Sequence, residues 1–370
     1  MSDDLDIKVT SIVDRLKTVT PTVNDPTPVN TWTPIPLVGD IVEERPTILR
    51  LTDGRCLIYP GKTHLLFGAS ESGKTWLAIV AMSEVLSLGG RVLWIDYEDT
   101  KNTIMTRLVA YGVSREQWDR IDYVNPEGPL RGPDGVARTL GGAELDRLLS
   151  THYYDLAVVD GLSTAMGVEG LDMNSANDVG LYNNRLTNVI ARTGTAVITL
   201  THVVKGGVNG DKIDSLGSGQ WRAQVTGASY LVDCPKPFGK CQGAEPTYGT
   251  ITLQIAKDRP ATVRGGRGVL AKVAIAEVTA RPDMTIGIKL SDPKDTVVVP
   301  HVDISREIVR HLRNYSGASM SGIKDNVTGK AERIAEAVAY LVDIEVITVT
   351  KVGASHRHVV DEVMASEYDF

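Results

Sequence analysis

Residues 68–75 read Gly-Ala-Ser-Glu-Ser-Gly-Lys-Thr, a run that fits G-x-x-x-x-G-K-[ST]. Its chemistry is phosphate binding. Gly68 and Gly73 let the backbone bend until successive N–H groups, those of Ala69, Ser70, Glu71 and Ser72 among them, point inward at phosphate oxygens. Lys74 reaches the β- and γ-phosphates as a point charge, and Thr75 offers a hydroxyl to Mg²⁺. Trp76 closes the nucleotide-binding stretch. The expected ligand is ATP with Mg²⁺.

Two acidic positions complete this set. Asp160 ends the apolar run LAVVD, as a Walker-B aspartate does, where it can hold Mg²⁺ through water. Glu98 follows VLWIDY. Neighbouring strand ends of a parallel sheet converge at one edge, so Glu98 is placed to orient the water that attacks the γ-phosphate. Asp96 and Asp99 compete for that role; alternation puts Asp96 on the same face as Glu98, and one of that pair is expected to be structural.

Elements must position these groups. HLLFG (64–68) reads as a short strand, and the helical pattern of 75–89 stops at Gly89-Gly90. Strands at 91–97, 154–161 and 195–202 alternate with helices at 100–112 and 177–194. Continuous apolar strands separated by helices imply a parallel sheet covered on both faces. From about 226 the pattern changes to alternating strands divided by Gly and Pro, expected to extend the sheet antiparallel at one edge. The fold class is therefore α/β, a mostly parallel core with antiparallel edge strands.

The 370 residues suit two or three domains. Residues 1–45, rich in Pro and Thr, read as an irregular arm, and 291–302 as a linker. No apolar run is long enough to span a bilayer, and the acidic N-terminus does not resemble a signal peptide. Three cysteines, Cys56, Cys234 and Cys241, argue against a disulfide framework and fit a reducing cytoplasm; Cys234 and Cys241 stand in no metal-ligand grouping. The net charge of −7 excludes a protein that coats DNA over its whole surface, so any nucleic-acid contact must be local.

With these motifs in place, residues from about 45 to 265 resemble the RecA-like P-loop ATPases, in particular the DnaB-like and RepA-like hexameric helicases and their phage-encoded relatives, and the ATPase domain is expected to span 46–290. In that superfamily the catalytic glutamate lies at the end of the strand after the phosphate-loop helix, where IDYED places Glu98, and Gly161 rather than glutamate follows Asp160. The resemblance implies that His202, ending AVITLTH, senses the γ-phosphate, with Thr201 a weaker candidate. It implies that Lys257 and Arg259, in IAKDRPATVRG, reach the γ-phosphate bound to the next subunit; Arg222, Arg264 and Arg267 are rivals. An arginine delivered in this way raises phosphoryl-transfer rates by ~10³–10⁵. The Gly-rich segment from 203 to about 223 corresponds to the loops that face a central channel. Lys205, Lys212, Trp221 and Arg222 are its expected DNA contacts. The implied partners are single-stranded or branched DNA and five further copies in a ring. The implied setting is the cytoplasm, that of a bacterial host if the chain is phage-encoded.

Residues 303–370 resemble a winged helix-turn-helix, a small α+β domain. Helices are expected at 304–314, 319–326 and 330–342, and a hairpin follows. Lys330, Arg333, Lys351, His356, Arg357 and His358 are available to DNA, but acidic residues outnumber basic ones here, so docking of a protein partner is the competing expectation. For the whole chain the leading expectation is a DNA motor or helicase of replication or recombination. The alternatives are a recombination or branched-DNA ATPase that does not unwind processively, and a nucleotide-gated regulator or loader.

Overall fold

The computed structural model describes residues 34, 37, 43–203, 220–239, 241, 245–293, 302–352 and 355–367. Most of the expected arm lies outside these residues, as do Lys205, Lys212 and positions 294–301 of the expected linker. The chain divides into two compact units, Met1–Pro293 and Lys294–Phe370.

In the first unit, β1 (Ile48–Arg50) and β2 (Cys56–Ile58) form a small antiparallel pair. Next come β3 (Thr63–Gly68), α1 (Lys74–Ser87), β4 (Val92–Asp96), α2 (Lys101–Tyr111) and β5 (Ile121–Val124). The helix α3 (Leu140–Thr151) leads to β6 (Leu156–Asp160). Three helices, α4 (Leu162–Val168), α5 (Ala176–Arg185) and α6 (Thr187–Ala191), precede β7 (Ala196–His202). The short α7 (Gln220–Gln224) then leads into β8 (Ala228–Lys236), β9 (Thr247–Asp258), β10 (Ala271–Ala280) and β11 (Ile286–Ser291).

Among the described residues the large sheet has the order β11-β10-β9-β8-β3-β7-β6-β4-β5. From β8 through β3 to β5 all neighbours are parallel, and β8 to β11 are antiparallel. The strands β3, β4 and β6 are buried along their whole length, as a sheet covered on both faces demands. Strand alternation divides the core. Leu66, Trp94, Val158 and Ile198 face one way and pack with Leu77 and Met82 of α1. Leu65, Phe67, Ile95 and Val159 face the other way and pack with Met166 of α4, Tyr182 of α5 and Ile190 of α6. The expected α/β class, a mostly parallel core with an antiparallel extension at one side, is what the structure contains.

One local feature departs from the sequence reading, and two further elements, β5 and α3, were not among those expected. The single helix expected over 177–194 is two, broken at Leu186, whose φ of −127° and ψ of −74° leave the helical region. At the break Asn183 accepts from the Thr187 hydroxyl at 2.8 Å and donates to Gln224 Oε1 at 2.8 Å, so side chains take over part of the bonding. The edge strand β5 is only half-buried and too short to show a period. The helix α3 begins Leu-Gly-Gly, which reads locally as a loop; Thr139 initiates it by accepting the Gly142 N–H at 3.1 Å.

The second unit contains α8 (Val302–Asn314), α9 (Met320–Asn326), α10 (Ala331–Asp343), an antiparallel hairpin of β12 (Ile347–Val352) and β13 (Ser355–Val360), and α11 (Glu362–Glu367). Ile308, Leu312, Ile323, Ile334, Val338 and Leu341 form its core. Arg313 makes a forked ion pair with Glu362, which fastens α11 to α8.

Candidate nucleotide site

The phosphate loop runs from the end of β3 into α1. Gly73 caps α1 with a φ of +91°, a conformation that any side chain would strain. The first turn of α1 carries no acidic side chain, so its N–H groups and dipole remain free to attract an anion. Lys74 lies beneath the loop, 7% exposed. Its ammonium donates to the carbonyls of Gly68 at 3.1 Å and Ala69 at 2.7 Å. Burial brings its pKa down to about 8, against the opposing pull of Asp160 and Glu98. A desolvated cation beside a cradle of N–H groups is the arrangement a phosphate chain requires.

Strand register brings the acidic groups to the same edge. Asp96 pairs with Asp160 across β4 and β6, and Gly68 pairs with His202 across β3 and β7. Asp160 Oδ2 accepts from the Thr75 hydroxyl at 3.3 Å. Burial, then the neighbouring charges of Asp96 and Glu98, push Asp160 up to about 7. Asp96 is fully buried. One of its oxygens accepts the N–H groups of Glu98 at 3.1 Å and Asp99 at 2.8 Å, and the other accepts the Tyr123 hydroxyl at 3.1 Å. Asp96 is therefore the structural member of the trio. Asp99 Oδ1 accepts the Thr100 N–H at 2.8 Å at the start of α2.

Glu98 keeps its carboxylate in the cavity, beside Gly161. A Cβ at Gly161 would come within 2.1 Å of Glu98 Oε1, so the close approach depends on glycine there. His202 completes the group: Nε2 lies 3.8 Å from Glu98 Oε2, and Nδ1 lies 3.4 Å from the Ser70 hydroxyl.

Together these residues line a cavity of about 420 Å³. Of the sequence candidates, Ser70, Glu71, Ser72, Gly73, Lys74, Thr75, Trp76, Glu98, Asp160, Thr201 and His202 line it. Gly68 and Ala69 act through the carbonyls that hold Lys74. Four lining residues were not foreseen: Arg107 on α2, Leu200 on β7, and Pro237 and Phe238 in the turn between β8 and β9. Arg107 sits 4.0 Å from Asp99, and its charge counteracts the rise at Asp160. A lone arginine inside a helix was its only trace in the sequence. The turn residues left none.

The donor set fits Mg²⁺ held together with phosphate oxygens. Thr75 and Asp160 are hard oxygen donors in contact, and a divalent cation there favours the ionised form of a carboxylate that burial disfavours. Among the described residues no cluster of three or more His, Cys, Asp or Glu is placed to hold a metal ion.

The remaining candidates lie elsewhere. The Lys257 ammonium donates to the carbonyls of Arg222, Ala223 and Val225 at 2.7, 2.7 and 3.0 Å, so it caps α7 in its own chain rather than extending outward. Arg264 is directed at the Ala256 carbonyl, and Arg267 pairs with Asp292 at 2.7 Å. Arg259 is exposed, does not line the cavity of its own chain, and its guanidinium has no partner among the described residues. Trp221, expected at the DNA-facing loop, is 3% exposed and packs edge-on against Tyr182 at 5.7 Å; its ring is covered by its own chain. Arg222 is half-buried beside it. No helix among the described residues is long and apolar enough to cross a membrane.

A comparison with curated proteins found no match. Residues 34–208 match the family model of an AAA domain. That match, the mostly parallel sheet and the loop-to-helix phosphate site together support a P-loop ATPase domain with a RecA-like core.

Proposed function

We propose that the chain is an oligomeric, DNA-dependent ATPase, a motor or helicase of replication or recombination that hydrolyses ATP at subunit interfaces. The observation that carries this reading is the position of His202. It touches Glu98 and Ser70 inside the nucleotide cavity and ends the strand that leads into the segment bearing Lys205 and Lys212. A change at the γ-phosphate can therefore be passed along one strand end to a basic, Gly-rich segment.

Within the site, Lys74 and the first N–H groups of α1 bind the phosphate chain. Glu98 accepts a proton from the attacking water, held in place by Asp96 through the backbone and by Gly161. Mg²⁺, when bound by Thr75 and Asp160, supplies charge neutralisation at the β- and γ-phosphates. Arg259, exposed and away from its own cavity, is the side chain offered to the neighbouring subunit's phosphate. The ring, hexameric by resemblance, concentrates basic segments that a chain of net charge −7 does not otherwise display. The second unit, three helices followed by a hairpin, is read as a winged helix that docks DNA or a protein partner.

The test is phosphate release with and without single-stranded, forked and duplex DNA, at several protein concentrations. Stimulation by DNA, a rate per subunit that rises with concentration, and its loss in Arg259→Ala are expected. Hydrolysis indifferent to both DNA and concentration would sink the motor reading and leave a nucleotide-gated regulator.

A further inference from the structure

The cavity is lined by two chemically different sets of side chains. Lys74, Glu98 and Asp160 are charged or acidic. Trp76, Pro237 and Phe238 are apolar, and two of them pack together. Phosphate chemistry explains the first set only.

We infer that Trp76 and Phe238 form the nucleobase subsite, and that it takes the base by its ring face with little discrimination among bases. This rests on the reading of residues 68–75 as the phosphate loop.

The two rings meet edge-on, with centroids 6.5 Å apart and an interplanar angle of 63°. A flat heterocycle can therefore stack on one ring while its edge meets the other. Both rings are half-buried and packed against the core, so they are held in place rather than swinging in solvent. Phe238 is seated on the backbone of β9: a Cβ at Gly249 would lie 2.5 Å from its Cβ and 3.0 Å from Cδ1. The strand that carries the turn is pressed against the phosphate loop, since a Cβ at Gly68 would lie 2.1 Å from the Val232 carbonyl oxygen. Distance from the loop to the aromatic pair is thus set by the sheet.

Polar side chains that line the cavity belong to the phosphate loop, α2 and the catalytic strand ends. From the β8–β9 turn only Pro237 and Phe238 contribute, among the described residues. Neither can hydrogen-bond to a base edge through its side chain. Stacking accepts any base, because every base has a π-face. Strong rejection of a wrong base needs buried polar groups that it would leave unpaired.

Calorimetric titration of the full chain with Mg-ADP, Mg-GDP and Mg-pyrophosphate tests this. The wild type should bind ADP and GDP within about tenfold of each other. Phe238→Ala should weaken both by about tenfold or more and leave pyrophosphate unchanged. Phe238→Leu, which keeps apolar bulk and protects the fold, should fall between the two. ADP affinity unaltered in both variants, or pyrophosphate weakened in the same proportion, would overturn the inference. A preference for one base above about a hundredfold would overturn the claim of low discrimination. Failure of the underlying reading looks different: Lys74→Ala would then bind all three ligands as the wild type does.

Discussion

The two halves of the large sheet reach the nucleotide cavity by different routes. In the parallel half, β3, β7, β6 and β4 all end at the same edge, and register alone sets Asp96 beside Asp160 and Gly68 beside His202. In the antiparallel half, successive strands end at opposite edges. Its contributions arrive instead through the turn at Pro237-Phe238 and through the end of β9, where Arg259 lies outside its own cavity. The parallel half assembles reacting groups because its connections bring every carboxyl end to one place. The antiparallel half adds Pro237 and Phe238 to the cavity wall on one side and the exposed Arg259 on the other. The acidic groups and the phosphate loop are concentrated in the first half.

Four experiments break or sharpen that contrast. The largest effect is expected from Lys74→Ala, which removes the buried cation under the loop; ATP hydrolysis, measured by phosphate release, should fall about 10⁴-fold. Glu98→Gln should lower kcat about 10³-fold while ADP affinity stays within about threefold, because the amide cannot accept the water's proton. If affinity falls as far as kcat does, Glu98 belongs to binding and the parallel half is less specialised than its geometry indicates.

The third concerns the seam between the halves. His64, on β3, is completely buried, accepts the Tyr59 N–H at 3.0 Å and donates from Nδ1 to the Val197 carbonyl at 3.2 Å. Burial brings its pKa down to about 4, so it is neutral in the folded chain. The unfolded chain, with its histidine near 6.5, binds the extra proton between those values, and acid favours unfolding. The contribution is intact above about pH 6.5 and lost by pH 4, a change of about 3 kcal/mol. Asp160, raised to about 7, takes up a proton on folding over an overlapping range and offsets it. The difference between wild type and His64→Gln in urea titrations at pH 7 and pH 4 isolates the histidine. A difference that does not change with pH would mean that the seam is wet.

The smallest effect is expected from Gly161→Ala. Its Cβ displaces the Glu98 carboxylate, and a misplacement of about 1 Å should lower kcat about 10²-fold with ATP affinity retained. An unchanged rate would show that Glu98 acts from some other position.

Much of this site was legible beforehand. GASESGKT carries its own backbone geometry, and LAVVD and VLWID announce buried strands whose ends must bear the acidic groups. Position at the strand end favoured Glu98 over Asp96 and Asp99, but how each carboxylate is used was not legible, because all three lie within four residues. The fold turns Asp96 to Tyr123 and to two backbone N–H groups, and leaves Glu98 lining the cavity. Lys257 shows the reverse case. The resemblance implied a shared outward role with Arg259, yet the fold supplies three carbonyls at the end of α7, two within it and that of Val225 just beyond, which the isolated sequence could not place within its reach. Trp221 sits in a polar, Gly-rich context and is nevertheless buried, because Tyr182 of α5 covers it.

What the sequence determined by itself was the local chemistry: a phosphate loop, apolar strands that must be parallel, and the carboxylates at their ends. These follow from residue type and short spacing, since backbone bending and strand burial are decided within a few residues. What only the tertiary structure decided was which distant groups meet that loop, namely Arg107 from α2, Phe238 from the β8–β9 turn and Gly161 against Glu98. Such meetings depend on sheet order and on close contacts between segments remote in the chain, and no local pattern encodes them.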